Sequence, residues 1–248
     1  SGAYSNGDPY DVHPFILLNY NGLYEDVSTL AHELGHTMQS YLSNNNQPFP
    51  KAEYPIFTAE VASTLNELLL IEAQLKVAND DDMKLSLLMN YLDNVSVTFF
   101  RQTRFAEFER QIHDVAESGE ALTGELLSKL YGEMARRYYG HDTRICLFDE
   151  TFDIEWAYIP HFYYNFYVYQ YATSFTASNA LVEDILSGDK TAVEQYLFFL
   201  SAGGSDYPIE LLKSAGVDMT TTKPFDKTIT KMNKAMDEIE KILVSKGV

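Results

Sequence analysis

The sequence predicts a mainly α protein with a small β-sheet beside one motif-bearing helix, and three observations lead there. Apolar residues recur at helical spacing through most of the 248 residues, as at Val27, Leu30, Leu34, Met38 and Leu42. The clearest strand signal is one short apolar run, Phe15 to Tyr20, bounded by Pro14 and by Asn21 and Gly22. The first helical run carries His32-Glu33-Leu34-Gly35-His36, and a second brings Glu60 24 residues after His36. No internal repeat, low-complexity tract or flexible linker divides the chain, so residues 1–248 read as a single domain.

Taken in order, residues 1–12 are rich in Gly, Ser, Asn and Asp and read as loop, followed by the strand at 15–20. Asp26 or Ser28 is placed to cap the motif helix, and Asn44, Asn45, Asn46, Pro48 and Pro50 stop it. A second helix spans about 57–78, and residues 79–82 form a polar turn that caps a long helix over 82–117. The aromatic stripe on that helix reads as core, and His113 near its end as a surface histidine. A helix over 122–139 ends at Arg136, Arg137 and Gly140, the chemistry a C-terminus favours, with His141 following in a loop. Helices over 161–186, 190–201, 207–215 and 225–246 complete the chain. Residues 201–206, Ser-Ala-Gly-Gly-Ser-Asp, read as a substrate-side loop or hinge, or equally as a helix C-cap. The last helix is amphipathic, with Ile229, Met232, Met236, Ile239 and Leu243 on one side.

On a helix, residues i and i+4 lie about 40° apart around the axis and one turn apart along it. His32 and His36 can therefore aim two imidazole nitrogens at one point, which suits a tetrahedral zinc ion. Glu33 projects over an adjacent face, within reach of a water at that ion rather than of the ion itself. Glu60, from a helix folded back beside the first, supplies a third ligand and leaves one position open. Glu67, seven residues on, shares the face of Glu60 and is placed to hold a ligand histidine from behind.

Composition narrows the function. Eighteen basic against 36 acidic residues give a net charge of −18, which argues against nucleic acid and anionic membranes as partners. No apolar run approaches the ~20 residues a membrane-spanning helix needs. A single cysteine, Cys146, excludes an internal disulfide, reads as a small buried hydrophobe and is compatible with the cytoplasm. His13, before a proline at the strand entrance, reads as structural.

A second centre lies at 156–176, where residues 158–171 hold six tyrosines and His161. A structural helix has little use for so many hydroxyls, since each buried one needs a partner. On the helix expected there, Tyr164 and Tyr171 fall two turns apart on one face with Tyr167 between them, and a phenol can donate to a developing oxyanion.

These motifs together resemble one family. His-Glu-Leu-Gly-His at 32–36 and Phe-Thr-Ala-Glu-Val-Ala-Ser-Thr-Leu-Asn-Glu at 57–67 are similar to the oligoendopeptidase F branch of the thimet oligopeptidase family of zinc metallopeptidases. The likeness extends to residues 1–5, 13–20, 159–163 and 201–208, and so covers most of the chain. It implies a zincin-like helical catalytic domain that hydrolyses oligopeptides, with zinc on His32, His36 and Glu60 and Glu33 as general base. It also implies that His161, Tyr164 and Tyr171 polarise the scissile carbonyl, the turn after His161 differing by about two residues from the thimet-type enzymes. The strand before the motif helix would offer its edge to an extended peptide through residues 14–20, with Phe15, Leu17 and Asn19 as substrate-binding positions. Such enzymes are usually more than twice this long, and the chain starts without Met. It is therefore expected to be a C-terminal portion whose partners are oligopeptides and its own missing N-terminal half. Two alternatives stay open: a zinc-binding fragment inactive without that half, and a zinc carboxypeptidase using Arg101, Arg104 or Arg144 to clamp a terminal carboxylate.

Overall fold

The computed structural model describes residues 2–247. It is mainly α with one small sheet against the motif helix, as expected. The chain divides into two compact units, one formed by residues up to Val95 and from Thr173 onward, the other by Ser96–Ala172.

The first unit opens with β1 (Ala3–Asn6), paired antiparallel with β2 (Phe15–Leu18) so that Ala3 faces Leu18 and Ser5 faces Ile16. The loop expected over 1–12 thus contains a strand. Its four residues carry no strand pattern of their own, and the ladder with β2 holds them extended. Ser5 Oγ lies 2.8 Å from Thr37 Oγ1, which fixes the sheet on α1 (Tyr24–Asn46). Helix α1 starts earlier than Asp26 or Ser28 because Leu23 is its extended N-terminal flank. Asp26 instead caps from within the first turn, accepting the backbone N–H groups of Leu23 at 2.9 Å and Asn21 at 2.8 Å. Those two bonds hold its carboxyl below the ordinary carboxylate range. The asparagines end the helix as read: Asn45 and Asn46 turn their amides back to the carbonyls of Tyr41 and Leu42.

After the single turn α2 (Phe49–Ala52), α3 (Ile56–Val77) runs back against α1. Every residue from Thr58 to Leu65 is buried, which explains the small, mixed Ala, Ser and Thr composition of that stretch. Helix α4 (Asp81–Asn94) is capped by the Asp80 carboxylate, which accepts from Met83 N–H at 2.8 Å.

The long helix expected over 82–117 is interrupted by a π-helical turn, Val95–Phe100, before α5 (Arg101–Glu117) begins. Helix α6 (Gly124–Tyr139) is capped by Thr123 and closed by Gly140 at φ 64°. In the second unit α5 and α6 enclose a core of Phe105, Phe108, Tyr131, Met134, Ala135 and Val168. His113 is not simply a surface group: Nδ1 lies 2.8 Å from Glu109 O, and Nε2 lies 3.1 Å from Asn165 Oδ1. His141 has a partner as well, accepting from Phe148 N–H at 2.9 Å. Cys146 is exposed rather than buried.

The helix expected over 161–186 forms only from Tyr169. A 3-10 segment, Pro160–Tyr164, precedes it, and Asn165 and Phe166 adopt φ of 43° and 57°, a left-handed break. Tertiary contacts impose that break: Phe166 N–H donates to Glu109 Oε1 at 2.7 Å, and His113 packs on the Phe166 ring at 4.5 Å.

Helix α7 (Tyr169–Leu186) then carries a ladder of buried hydroxyls. Ser174 donates to Phe57 O at 3.1 Å and Ser178 to Val61 O at 2.9 Å, which clamps α7 to α3. Helices α8 (Lys190–Ser201) and α9 (Pro208–Ser214) follow, with α8 against α1. The glycine loop between them is a close-approach turn. Gly203 has φ 53°, a Cβ on it would stand 2.3 Å from Lys51 O, and Gly204 N–H donates to Lys51 O at 2.8 Å. Helix α10 (Lys223–Lys246) packs on α4 and buries Thr228, Ala235 and Ile242, one heptad apart. Met236, expected on the apolar side, is exposed.

Candidate metal centre

Helices α1 and α3 pack closely enough to share a site because residue 35 is glycine. A Cβ there would lie 2.4 Å from Ala62 O and 2.6 Å from Ser63 Cα. Beside this crossing, Asn66 Nδ2 donates to Ala31 O at 3.1 Å, tying the residue before Glu67 to the residue before His32.

This register brings three ligand atoms together. The Nε2 atoms of His32 and His36 are 3.2 Å apart, their rings crossing at 81°. Glu60 Oε2 lies 3.5 Å from His32 Nε2 and 3.8 Å from His36 Nε2. A tetrahedral zinc ion with bonds of about 2.0–2.1 Å places its ligand atoms about 3.3 Å apart. The three atoms therefore already stand near the corners such an ion requires. The donor set fits as well, two imidazoles and one carboxylate. Burying the carboxylates of Glu33 and Glu60, each only 7% exposed, is costly unless positive charge compensates them.

Glu67 Oε1 lies 2.5 Å from His32 Nδ1. That contact puts the His32 proton on Nδ1 and leaves the Nε2 lone pair toward Glu60 and His36. Burial pushes the His32 pKa down, but the bond to Glu67 and the charges of Glu67, Glu60 and Glu33 outweigh it and raise it overall. Burial and the charge of His32 push His36 the other way, down to about 4, so its imidazole is neutral at physiological pH.

Two cavities border the centre. One of about 390 Å³ is lined by Ala3, Glu25, Ser28, His32, Glu33 and Glu67 among others. The other, about 680 Å³, is lined by residues that include Ser5, Tyr10, His36, Tyr54 and Glu60. The strand on these cavities is β1, through Ala3 and Ser5. Phe15 and Leu17 sit opposite Asn6 and Tyr4, outside the register that faces α1, and are 50% and 47% exposed. Asn19 donates to Gly2 O at 2.7 Å. None of the three substrate positions read from the sequence lines either cavity. Ala3 and Ser5 escape sequence reasoning because nothing in their pattern marks a strand. Tyr54, on the wall of the larger cavity, holds its hydroxyl 2.7 Å from Ser40 Oγ.

In the second unit the aromatic group forms, although not on one helical face. Tyr164 ends the 3-10 segment and Tyr171 lies in the first turn of α7, so the seven-residue spacing does not place them on a shared stripe. The rings gather around His161 instead: Tyr167 stacks on it at 5.6 Å, with Tyr164 at 6.2 Å and Tyr171 at 6.3 Å. The Tyr171 hydroxyl donates to that of Tyr167 at 3.2 Å. Arg101 and Arg104, considered above as carboxylate clamps, are both committed to Glu155, at 2.5 and 3.1 Å.

Residues 1–231 match the model of peptidase family M3. The chain belongs to that family. Its likeness to oligoendopeptidase F runs through the whole chain. The chromosomal oligoendopeptidase F of Lactococcus lactis subsp. cremoris is 46% identical over 248 residues, which is 100% of this chain and 40% of that protein. Oligopeptidase PepF of Bacillus subtilis (strain 168) is 46% identical over 244 residues, 98% of this chain and 36% of that protein. Among solved structures, oligoendopeptidase-F from Enterococcus faecium superposes with a TM-score of 0.78 at 41% identity, over 89% of this chain and 40% of that one. The M3 chain thus spans about two-fifths of the length of the curated relatives it matches.

Proposed function

We propose that this chain carries the catalytic centre of a zinc-dependent endopeptidase that cleaves oligopeptides, with His32, His36 and Glu60 as metal ligands. The observation that carries the reading is the 3.2, 3.5 and 3.8 Å spacing of their ligand atoms. Zinc at such a site supplies a Lewis acid and lowers the pKa of water into the neutral range. Glu33, on the cavity wall beside His32, accepts the water proton and returns it to the leaving amine. Glu67 keeps His32 in the ligating tautomer. The family resemblance supports an oxyanion-stabilising role for His161, Tyr164 and Tyr171, whose rings gather within the second unit. An extended peptide pairs its backbone with the sheet, and the cavity-lining Ala3 and Ser5 favour β1 for that over Phe15, Leu17 and Asn19. The lone, exposed Cys146 suits a reducing cytoplasm.

A second reading is favoured by one fact, the two-fifths coverage of the relatives: a piece that binds zinc but needs the remainder of a longer protein for turnover. Cleavage of a quenched fluorescent oligopeptide by the chain alone separates the two. In the first reading Glu33→Gln abolishes cleavage while zinc, measured by elemental analysis, stays bound at one per chain, and Glu60→Ala loses the zinc. Undiminished zinc in Glu60→Ala refutes the ligand set. Cleavage of C-terminally blocked peptides rules out a carboxypeptidase.

A further inference from the structure

We infer that Ser63 is a positioning residue for the carboxylate of Glu60, an inference that rests on the metal-site reading above and extends it to a residue outside the ligand set. Glu60 Oε2 faces both imidazoles, at 3.5 and 3.8 Å, and Ser63 Oγ stands 2.9 Å from that same oxygen. Ser63 is fully buried, so no solvent competes for its proton.

A helical serine ordinarily spends its hydroxyl on the backbone carbonyl three or four residues earlier. Glu60 O is indeed within reach at 3.1 Å. That carbonyl is already served by the Thr64 hydroxyl, which is itself backed by Ser178 Oγ at 2.6 Å. The neighbouring hydroxyls therefore divide the work. Thr64 holds the backbone of residue 60, and Ser63 is left for its side chain, where a bond to a charged oxygen is the stronger one. The position is also tightly confined, because Ser63 Cα forms part of the wall against which Gly35 packs. Glu60 has three side-chain torsions to restrict, and a donor fixed on the same helix turn holds its carboxylate toward the imidazoles before any metal arrives.

The test is a double-mutant cycle read by zinc affinity, using zinc alone against a fluorescent chelator, with the thermal unfolding of the metal-free protein as control. Ser63→Ala weakens zinc binding about tenfold, the range seen when a ligand's outer partner is removed, while metal-free unfolding stays near wild type. In a Glu60→Ala background the same substitution changes affinity less than about twofold, because Ser63 acts only through Glu60. Wild-type affinity in Ser63→Ala overturns the inference, as does an equal loss with and without Glu60. A Ser63→Ala protein that fails to fold overturns it too, since the residue then serves the helix packing rather than the ligand. If Glu60→Ala alone binds zinc as wild type does, the metal-site reading itself fails, a result distinct from all of these.

Discussion

Gly35→Ala tests whether the metal centre depends on the closeness of α1 and α3. In an ordinary helix interior this change stabilises by about 1 kcal/mol, since alanine is the better helix former. Here the added methyl would meet Ala62 O at 2.4 Å and Ser63 Cα at 2.6 Å, both belonging to backbone that cannot swing aside. Ordinary contact begins near 3.4 Å, so the helices must part by about 1 Å. Overpacking of this kind costs about 1–3 kcal/mol, which leaves a net loss of up to about 2 kcal/mol and, at roughly 2–4 °C per kcal/mol in a chain of this size, lowers Tm by at most about 4–8 °C. Glu60 lies within one turn of the contact and recedes with α3. Its oxygen then moves from 3.5 and 3.8 Å to about 4.5–4.8 Å from the imidazole nitrogens, well beyond the ~3.3 Å of a tetrahedral edge. Zinc affinity should fall about tenfold or more, because such sites tolerate errors of only about 0.5 Å. Calorimetry of the metal-free protein and chelator competition with zinc read the two effects. A variant that melts higher than wild type and binds zinc equally well refutes the reasoning.

Other outcomes follow from single contacts. Glu67→Gln keeps a hydrogen-bond acceptor for His32 Nδ1 but removes its charge, and zinc affinity measured by chelator competition should fall about tenfold. Arg104 is 2% exposed and ion-paired to Glu155, so Arg104→Met should cost about 3 kcal/mol in urea unfolding, Arg101 remaining to hold the carboxylate. Burial pushes the Glu155 pKa up, but the Tyr131 and Arg101 hydrogen bonds and the charges of Arg104 and Arg101 hold it below the ordinary 4.5. A depressed folded value means stability that is present above pH 4.5 and lost as pH falls through that value. The acid limb of a stability–pH profile should accordingly flatten in Glu155→Gln; an unchanged limb would show that Glu155 contributes nothing to it.

What the sequence discloses depends on how far away the deciding partner lies. The His32 and His36 pair is readable because four residues on a helix always return to one face, a relation internal to α1. Glu60 and Glu67 are readable for the same reason within α3, once the two helices are taken to be neighbours. The break at 165–166 is not readable, because neither Asn165 nor Phe166 demands a positive φ. Glu109 and His113, more than 50 residues earlier, impose it. Nor is β1: Ala3–Asn6 become a strand only by pairing with Phe15–Leu18.

Gly35 lies between these cases. Within the motif it reads as a helix weakness, worth about 1 kcal/mol against it. Only the Ala62 and Ser63 backbone packed against it shows what that cost secures, an interhelical distance short enough for one carboxylate to reach two imidazoles. The same closeness buries Ser63 and leaves its hydroxyl beside Glu60. A feature that local propensity counts as a defect is therefore the one on which the reach of the third ligand depends. This is why the identity of the ligands can be read from spacing while the precision of their placement cannot.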